Sequence, residues 1–317
     1  SSATTATRLL AITPPIASGR GSVILNRVLA PDVHETWTGE DTSIGELEHQ
    51  LACLRDANDG TFMRTSVMTH LAWVPEEWLG KALDTLHALE ERHPSRTIVI
   101  TPRQGQEHSI DAHVSLTCFK LPGTERHVCT EVIELSLAGT AANAPASVVL
   151  PLLIPDLPVF LRWRGRPDFD AVQWQQLTGV ADRLIVDSTE WPDVPEAYRG
   201  LEAVFDEIAA SDIAWARTGR WRALLASLWP EIAKVERIRV RGTAAQAHLL
   251  RGWLVSRLHH AIELEVDEAE LLEGVDLDGE PAPFPKGQAP PSSELLSDEL
   301  DRYGRDPIYE AAVRSAV

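Results

Sequence analysis

The chain has 317 residues, with 29 Lys and Arg against 47 Asp and Glu, which gives a formal net charge of −18. Apolar residues make up 44% of the chain and charged residues 24%, a balance that excludes an intrinsically disordered protein and is typical of globular proteins. A sequence pI near 5.0 argues against a nucleic-acid-binding protein, because neutralising phosphates requires a basic surface. At roughly 100–200 residues per domain, the length predicts two domains.

The cysteines and the apolar runs bear on the compartment. Three cysteines, Cys53, Cys118 and Cys129, fit a reducing compartment better than a secreted disulfide framework. The longest apolar run, residues 148–160, is interrupted by three prolines and an aspartate and is shorter than the roughly 18–20 residues of a membrane helix. The first residues lack the apolar core of a signal peptide. We therefore expect a cytoplasmic protein that does not contact membranes.

The first half of the chain predicts an α+β arrangement. Residues 1–40 are predicted to be a flexible arm or an added strand, because prolines and glycines recur there and only residues 22–28 resemble a strand. Residues 41–154 are predicted to form an α+β domain. Its predicted helices are residues 43–56, 75–92 and 141–150, and its predicted strands are residues 61–74, 96–101, 109–119 and 127–138.

Two cysteines lie on the arms of a predicted hairpin that turns at Leu121-Pro122-Gly123-Thr124. A turn centred between Gly123 and Thr124 places Cys118 directly opposite Cys129, whereas a turn centred one residue earlier shifts the pairing by a step. A cytoplasmic compartment keeps even close thiols reduced. We therefore expect these cysteines to lie on adjacent strands without a disulfide bond.

The second half of the chain alternates strands with helices, which predicts a mostly parallel sheet covered by helices over residues 155–280. The predicted strands are residues 159–163, 183–187, 213–217, 235–241 and 262–266, and the predicted helices are residues 169–177, 197–208, 221–229 and 244–258. Residues 281–317 are predicted to be a proline-rich linker and two helices that dock loosely or serve a partner. The predicted fold class is α/β, with an α+β N-terminal half and two domains.

Charge is distributed unevenly in the second half. Residues 217–257 carry nine basic and two acidic side chains, and residues 261–280 carry nine acidic side chains and no basic one. Charged runs usually form solvated faces of a fold. We therefore expect these two segments to neutralise each other between neighbouring strands and helices.

Motifs that carry catalysis are missing from the sequence. It contains no G-x-G-x-x-G after a strand, no P-loop, no G-x-S-x-G elbow and no H-E-x-x-H zinc motif. His127 and Cys129 share a strand face and could bind zinc with Cys118 and His113, but the chain lacks the C-x-x-C pairs of structural zinc sites. We predict no catalytic residue, no metal site and no cofactor.

Polar residues follow several predicted strands of the second half, where each strand ends. Because ligands and partners meet parallel sheets at the carboxyl ends of their strands, these residues are candidates for binding an anion or a partner. Arginine suits this task, since its guanidinium binds carboxylate or phosphate with two prongs. The alternative is a structural salt bridge between Asp187 and Arg217. The candidate residues are Arg96, Trp163, Arg164, Asp187, Ser188, Arg217 and Arg222.

Several segments, in order, resemble those of a known protein family. They are His93-Pro94-Ser95-Arg96, Cys129-Thr130-Glu131-Val132-Ile133, Pro151-Leu152-Leu153-Ile154-Pro155-Asp156-Leu157-Pro158-Val159, Arg162-Trp163-Arg164-Gly165, Asp182-Arg183-Leu184-Ile185-Val186-Asp187-Ser188, Asp212-Ile213-Ala214-Trp215-Ala216-Arg217 and Trp221-Arg222. Together these segments resemble the OpcA family of glucose-6-phosphate dehydrogenase assembly proteins. The resemblance covers about residues 60–260, and the last helices also look like the family's tail.

The resemblance implies a non-catalytic cytoplasmic protein that binds glucose-6-phosphate dehydrogenase and promotes its active oligomer in the oxidative pentose phosphate pathway. Two other classes of function stay open at this point. One is an enzyme or sensor that binds a sugar phosphate at the strand ends, and the other is a purely structural interaction module. Glucose-6-phosphate dehydrogenase is the expected partner, and neither nucleic acid nor membrane is expected.

Overall fold

The computed structural model describes residues 33–56, 62–63, 66–87, 89, 95–120, 123 and 127–317. Its strands are β1 Val33–Gly39, β2 Phe62–Met63, β3 Thr69–Trp73, β4 Arg96–Pro102, β5 Ser109–Lys120, β6 His127–Ala138, β7 Val159–Trp163, β8 Arg183–Val186, β9 Ala209–Asp212, β10 Arg237–Gly242, β11 Glu263–Glu268, β12 Gly274–Leu277 and β13 Glu280–Pro281. Its helices are α1 Ile44–Asp56, α2 Leu79–His87, α3 Gly139–Asn143, α4 Pro145–Val149, α5 Val172–Thr178, α6 Val194–Val204, α7 Ile213–Arg217, α8 Gly219–Ala226, α9 Ala244–Leu258, α10 Ser292–Leu300 and α11 Pro307–Ala316. Among these helices, none combines the length and the apolar character needed to cross a bilayer.

One large sheet dominates the described part of the chain. Its strands follow the order β1-β5-β6-β4-β3-β7-β8-β9, and β2 adds to β6. The pairs from β6 through β4, β3, β7 and β8 to β9 are all parallel, whereas β1 and β6 pair antiparallel with β5. This arrangement confirms the predicted α/β class with an α+β N-terminal half.

The large sheet continues across residue 154, where we placed a domain boundary. β3 from the first half pairs with β7 from the second, from Thr69 opposite Val159 to Trp73 opposite Trp163. Every residue of both strands is buried, as in central strands of a parallel sheet. The expectation that the parallel sheet is confined to residues 155–280 is therefore wrong, because its central pairing joins segments distant in sequence. The division into four regions stays a prediction.

The order of the strands reverses at β3. From β3 the chain moves to β4 on one side, and it later returns to β7 on the other side before it continues to β8 and β9. The connections after β3 and β7 therefore diverge at the carboxyl ends of these two strands. In open parallel sheets such a switch point leaves a crevice where ligands bind.

Helices cover both faces of the large sheet and give each face its own apolar core. On one face, Trp174 of α5 packs edge-on against Trp163, with 4.9 Å between the ring centroids. On the other face, α2 and α10 contribute Leu86 and Leu296 to a cluster that includes Phe160 of β7. Because α2 follows β3 and α5 follows β7, the two connections leave the switch point on opposite faces.

A second sheet, in the order β11-β10-β12-β13, carries the two oppositely charged segments. β10 and β11 pair in parallel, with Arg237 opposite Glu263 and Arg239 opposite Glu265. The Arg239 and Glu265 side chains lie 2.7 Å apart, and Arg237 lies 3.7 Å from both Glu263 and Glu265. The expected neutralisation between neighbouring strands is confirmed for these residues.

The hairpin formed by β12 and β13 is absent from our sequence reading, which placed a linker there. Leu277 pairs with Glu280, so the loop consists of Asp278 and Gly279 alone. Both loop residues have positive φ, 49° and 93°, as a two-residue hairpin turn requires. Asp-Gly as a two-residue link between strands is the sequence signal that predicts such a turn.

The C-terminal helices belong to the core, so the expectation of a loosely docked tail is wrong. α11 packs along α9. Tyr309, Ala312, Val313 and Ala316 are each at most 1% exposed. The two helices approach closely because Gly252 of α9 has no side chain, and a Cβ there would lie 2.1 Å from the carbonyl oxygen of Ala312. Much of the contact between the two helices is made by alanines and a glycine. The sequence therefore shows no stripe of large apolar residues that would have predicted this packing.

The strand predicted for residues 213–217 is wrong. These residues form α7, and the strand is the preceding segment, β9. The Asp212 side chain accepts a hydrogen bond from the backbone N–H of Ala214 at 2.8 Å, which caps α7 at its first turn. This local cap outweighs the strand-like apolar run of Ile213 and Trp215.

The first 40 residues also differ from the expectation in part. Residues 33–39, which we placed in a flexible arm, form β1, and β1 pairs with β5 along its whole length. The strand predicted at residues 22–28 lies outside the described residues. The helix predicted at residues 75–92 begins as a 3-10 turn, Glu76–Trp78, and continues as α2 to His87, while residues 88 and 90–92 lie outside the described part.

The hairpin of β5 and β6 has the register that a turn centred between Gly123 and Thr124 predicts, with Cys118 opposite Cys129. The two cysteines are joined by a disulfide bond, so the prediction that they stay unbridged is wrong. Their Cα atoms are only 4.1 Å apart, as in a closely spaced antiparallel pair, and this brings the sulfurs within bonding reach. The prediction relied on the compartment and gave this close approach too little weight.

Candidate functional site

The crevice at the carboxyl ends of β3, β7 and β8 opens into a cavity of about 600 Å3. Its wall consists of β3 with the turn that follows it, α2, the segments after β7 and β8, and the start of α10. The Trp, Lys, Arg, Asp and Glu side chains that line it are Trp78, Lys81, Asp84, Arg162, Arg164, Asp187, Glu190, Arg217 and Glu270. The cavity therefore lies at the switch point of the sheet, where ligand sites of this fold class occur. We call it the switch-point cavity.

Glu190 ties the end of β7 to the 3-10 turn Ser188–Glu190 that follows β8. Its Oε1 accepts a hydrogen bond from Arg162 Nη2 at 3.0 Å and lies 2.8 Å from Arg164 Nε. Its Oε2 accepts a hydrogen bond from the backbone N–H of Gly165 at 2.7 Å. One buried carboxylate thus serves two guanidinium groups, which leaves a local excess of positive charge. Burial, together with the neighbouring Arg162, lowers the pKa of Arg164 from its ordinary value.

Asp187 and Arg217 form the structural salt bridge that we set against a binding role. Arg217 Nη1 lies 2.9 Å from Asp187 Oδ1 and 2.8 Å from Oδ2. The hydroxyl of Thr189 donates to the same carboxylate at 2.7 Å. Arg217 Nη2 also donates to the Ser292 hydroxyl at 3.2 Å. Arg217, from α7, therefore connects the end of β8 to the start of α10 at the edge of the cavity.

Trp78 covers part of the cavity and stacks with two cations. The guanidinium carbon of Arg164 lies 5.0 Å from the centre of the Trp78 ring, and Lys81 Nζ lies 5.5 Å from it. Both distances suit cation–π interactions. The ring also lies close to Gly165, where φ is +74° and a Cβ would lie 3.3 Å from Trp78 Nε1. A glycine at this position allows the turn after β7 to pass beneath the indole.

A fully buried polar cluster lies behind the cavity wall. Asp212 Oδ1 accepts a hydrogen bond from the backbone N–H of Ser188 at 3.0 Å, and Asp212 Oδ2 accepts one from the Ser188 hydroxyl at 2.6 Å. The Ser188 hydroxyl also lies 2.9 Å from the Tyr198 hydroxyl, and the Tyr309 hydroxyl donates to Asp212 at 3.5 Å. Burial, and then the charge of Asp187, raises the pKa of Asp212 to about 7.

The raised pKa of Asp212 predicts a pH dependence of stability. The unfolded chain releases this proton near pH 3.8 and the folded chain near pH 7, so the stabilisation from the protonated form is complete below pH 3.8 and is lost as the pH rises through about 7. Asp212→Asn preserves the shape without the titration. Between about pH 5 and about pH 8, we expect the wild type to lose about 2 kcal/mol more unfolding free energy than Asp212→Asn. Urea unfolding at both pH values measures this difference, and equal losses in the two proteins would show that Asp212 does not titrate as described.

Three of the seven candidate residues, Arg164, Asp187 and Arg217, come together in the wall of the switch-point cavity. The other four residues do not line it. Trp163 is 5% exposed and stacks on Trp73, with 5.0 Å between ring centroids, so it serves the core. Ser188 follows Asp187 but is fully buried in the polar cluster behind the wall.

Arg96 and Arg222 lie away from the cavity. Arg96 begins β4, at the amino end of the parallel strands, where its Nε donates to Glu131 at 2.7 Å. Burial raises the pKa of Glu131, but hydrogen bonds and charges from Arg55 and Arg96 outweigh it and lower the pKa from its ordinary value. Arg222 lies over the ring of Trp215, with 3.4 Å between its guanidinium carbon and the ring centre. Both arginines have structural partners.

Sequence reasoning missed several residues that build the cavity, above all Arg162, Glu190 and Lys81. Arg162 carried a usable signal, because a charged residue inside a run of buried strand residues requires a partner of opposite charge. Glu190 and Lys81 carried none, since they lie in a polar turn and on an exposed helix face. Only the three-dimensional arrangement brings these two residues to the end of β7.

The metal site considered for the hairpin is not formed by the residues we named. Cys118 and Cys129 are bonded to each other, so neither sulfur is a free thiolate for zinc. Across the described ranges, no group of three or more His, Cys, Asp or Glu side chains is arranged to hold a metal ion.

Comparison with protein-family models identifies the family. Residues 86–203 match the model described as the glucose-6-phosphate dehydrogenase subunit N-terminal domain, of OpcA-type assembly proteins. Residues 208–288 match the corresponding C-terminal domain of the same family. The boundary between the two models therefore falls between α6 and β9, within the large sheet. Together the models include the ends of β7 and β8 and half of the residues that line the cavity.

Individual relatives agree with the family models. The chain is 29% identical over 178 residues to a protein of Nostoc punctiforme, 26% over 214 residues to one of Synechocystis and 27% over 184 residues to one of Synechococcus elongatus. The names of all three assign them to the OxPP cycle as OpcA. The alignments cover 53%, 63% and 54% of this chain but only 38%, 44% and 41% of the relatives. The chain belongs to the OpcA family of glucose-6-phosphate dehydrogenase assembly proteins.

Proposed function

We propose that the chain is a non-catalytic assembly factor that binds glucose-6-phosphate dehydrogenase and promotes its active oligomer in the cytoplasm. The observation that carries the proposal is the match of residues 86–203 and 208–288 to two domains described as parts of a glucose-6-phosphate dehydrogenase subunit. The relatives' names, which refer to the OxPP cycle, support the same pathway.

The side chains of the switch-point cavity support a binding role over a catalytic one. Glu190 is engaged by Arg162, Arg164 and a backbone N–H, and Asp187 is engaged by Arg217 and Thr189. A carboxylate whose oxygens are occupied in this way is poorly placed to take a proton from a substrate. Instead, these contacts hold the segments after β7 and β8 in fixed positions relative to α7 and α10. Rigid positioning of this kind lowers the entropy cost of binding a partner.

Titration of the dehydrogenase tests this proposal. The full chain is added in increasing amounts to purified dehydrogenase from the same organism, and turnover of glucose 6-phosphate is measured. We expect turnover to rise and to saturate at a fixed ratio of the two proteins, and we expect no turnover by the chain alone. An unrelated acidic protein at the same concentration controls for non-specific charge effects.

Two outcomes of this experiment would overturn the proposal. Turnover of a sugar phosphate by the chain without the dehydrogenase would favour the enzyme alternative. Stable binding that leaves the turnover and the oligomeric state of the dehydrogenase unchanged would favour a purely structural interaction module.

A further inference from the structure

Two cationic side chains at the switch-point cavity, Arg164 and Lys81, have nitrogens that are not engaged by other described residues. Arg164 meets Glu190 through Nε, and its terminal nitrogens, Nη1 and Nη2, make no hydrogen bond to another described residue. Lys81 is exposed and forms no ion pair within the same ranges of the chain. Both cations lie over the Trp78 ring, so they border the same part of the cavity. Two cations near one aromatic face can bind an anion together.

The buried part of the cavity wall has a net positive charge, although the whole lining, with the exposed Lys81, Asp84 and Glu270, carries four cations and four carboxylates. Three guanidinium groups, from Arg162, Arg164 and Arg217, face only two buried carboxylates. The N-terminus of α10 adds to this charge, because its N-cap is Pro291 and no side chain caps its free N–H groups. Ser292, at this terminus, lines the cavity. The positive charge is therefore concentrated in the buried part of the cavity, where it favours the anionic group of a ligand.

The size and the remaining groups of the cavity narrow the class of anion. A volume of about 600 Å3 lies within the range of small-molecule sites. The planar guanidinium of Arg164 can bind a phosphate with two parallel hydrogen bonds. The oxygens of Glu270 and Ser292, which line the cavity, can accept hydrogen bonds from alcohol hydroxyl groups, which inorganic phosphate lacks. A ligand that satisfies both kinds of group carries a phosphate and several hydroxyls.

We propose that the switch-point cavity binds a small, hydroxylated phosphate monoester. Arg164 and Lys81 contact the phosphate, and Glu270 and Ser292 accept hydrogen bonds from the hydroxyls. The proposal concerns the chain alone and does not rest on its contact with the dehydrogenase.

Calorimetry on the full chain without any dehydrogenase tests the proposal. The probe is glucose 6-phosphate, and glucose and inorganic phosphate serve as its two halves. We expect saturable binding of one ester per chain. Glucose and inorganic phosphate are each expected to bind at least about tenfold more weakly, because neither engages both kinds of group.

Lys81→Met is expected to weaken ester binding about tenfold by removing a charge-assisted contact. Lys286→Met removes an exposed lysine outside the cavity and is expected to leave binding unchanged.

Several results would overturn the proposal. The absence of saturable ester binding up to about 10 mM would exclude a site of useful affinity. Inorganic phosphate that binds as tightly as the ester would exclude any role for the hydroxyls. Equal losses of ester affinity in Lys81→Met and Lys286→Met would indicate attraction to general surface charge.

Arg164→Lys provides a second test of the site. A single ammonium group cannot make the two-pronged contact, so this variant is expected to bind the ester more weakly. Because the dehydrogenase is absent, none of these results bears on the proposed activation.

Discussion

Gly252→Ala is expected to lower the free energy of unfolding by about 2 kcal/mol, because a clash outweighs a gain in helix propensity. A Cβ at this position would lie 2.1 Å from the carbonyl oxygen of Ala312 and 2.9 Å from the backbone nitrogen of Ala316. Backbone atoms of a packed helix cannot rotate away, so overpacking here costs about 3 kcal/mol. Alanine favours a helix over glycine by only about 1 kcal/mol. The clash therefore decides the sign.

Urea unfolding followed by circular dichroism measures this change. Gly45→Ala is the matched control, because Gly45 also lies in a helix, α1, but no atom lies within 4 Å of the new Cβ. We expect this control to be stabilised by up to about 1 kcal/mol, the opposite sign. Equal stabilities of the two variants would contradict the close packing of α11 on α9 and the assignment of the C-terminal helices to the core.

Glu190→Ala is expected to lower the free energy of unfolding by about 3 kcal/mol, because it leaves two buried guanidinium groups without their carboxylate. The side chains of Arg162 and Arg164 are 7% and 11% exposed, so water cannot fully replace the lost partner. The backbone N–H of Gly165 also loses its acceptor. Glu190→Gln keeps the side-chain volume and one of the two acceptor oxygens, so we expect a smaller loss from it than from Glu190→Ala.

The control for this prediction is an exposed ion pair. The side chains of Glu196 and Arg199 in α6 are 64% and 61% exposed, and we expect Glu196→Ala to change stability by less than about 0.5 kcal/mol. Urea unfolding of the three variants, Glu190→Ala, Glu190→Gln and Glu196→Ala, gives the comparison. If Glu190→Ala were as stable as Glu196→Ala, the described network around Glu190 would not hold the end of β7.

Local patterns in the sequence were sufficient for the hairpin and for most elements. The alternation of β5 and β6 around the turn at Gly123 defined both strands and left two registers, and the structure has the one in which Cys118 lies opposite Cys129. The sequence predicted the helix at residues 244–258, and the structure adds a capping box of Thr243 and Gln246 at the start of α9. These features depend on neighbours within a few residues, so the sequence displays them directly.

Features that depend on distant partners were not predictable from local patterns. The pairing of β3 with β7 joins residues about 90 positions apart and sets the switch point. The burial of Tyr309 and Ala316 depends on the close approach of α11 to α9 at Gly252, which lies more than 50 residues earlier in the chain. Short local signals also compete, as at Asp212, where a helix cap overrides an apolar run.

The candidate site shows the same difference between features that local sequence patterns predict and features that depend on distant residues. Polarity at the strand ends pointed to Arg164, Asp187 and Arg217, and these three side chains do meet in the cavity wall. Arg96, which was also a candidate, lies at the opposite end of the parallel strands because it begins its strand. Burial of Trp163 and Ser188 depends on helices that pack over them, so their residue types alone could not distinguish a surface site from the core.

Size-exclusion chromatography with light scattering tests the proposed assembly function most directly. The mass of the purified dehydrogenase is measured alone and after addition of the full chain. The proposal predicts that the dehydrogenase shifts to a larger oligomer, that the chain elutes with it and that the shifted fraction has the higher specific activity. A dehydrogenase peak of unchanged mass, with the chain eluting separately, would contradict the proposal.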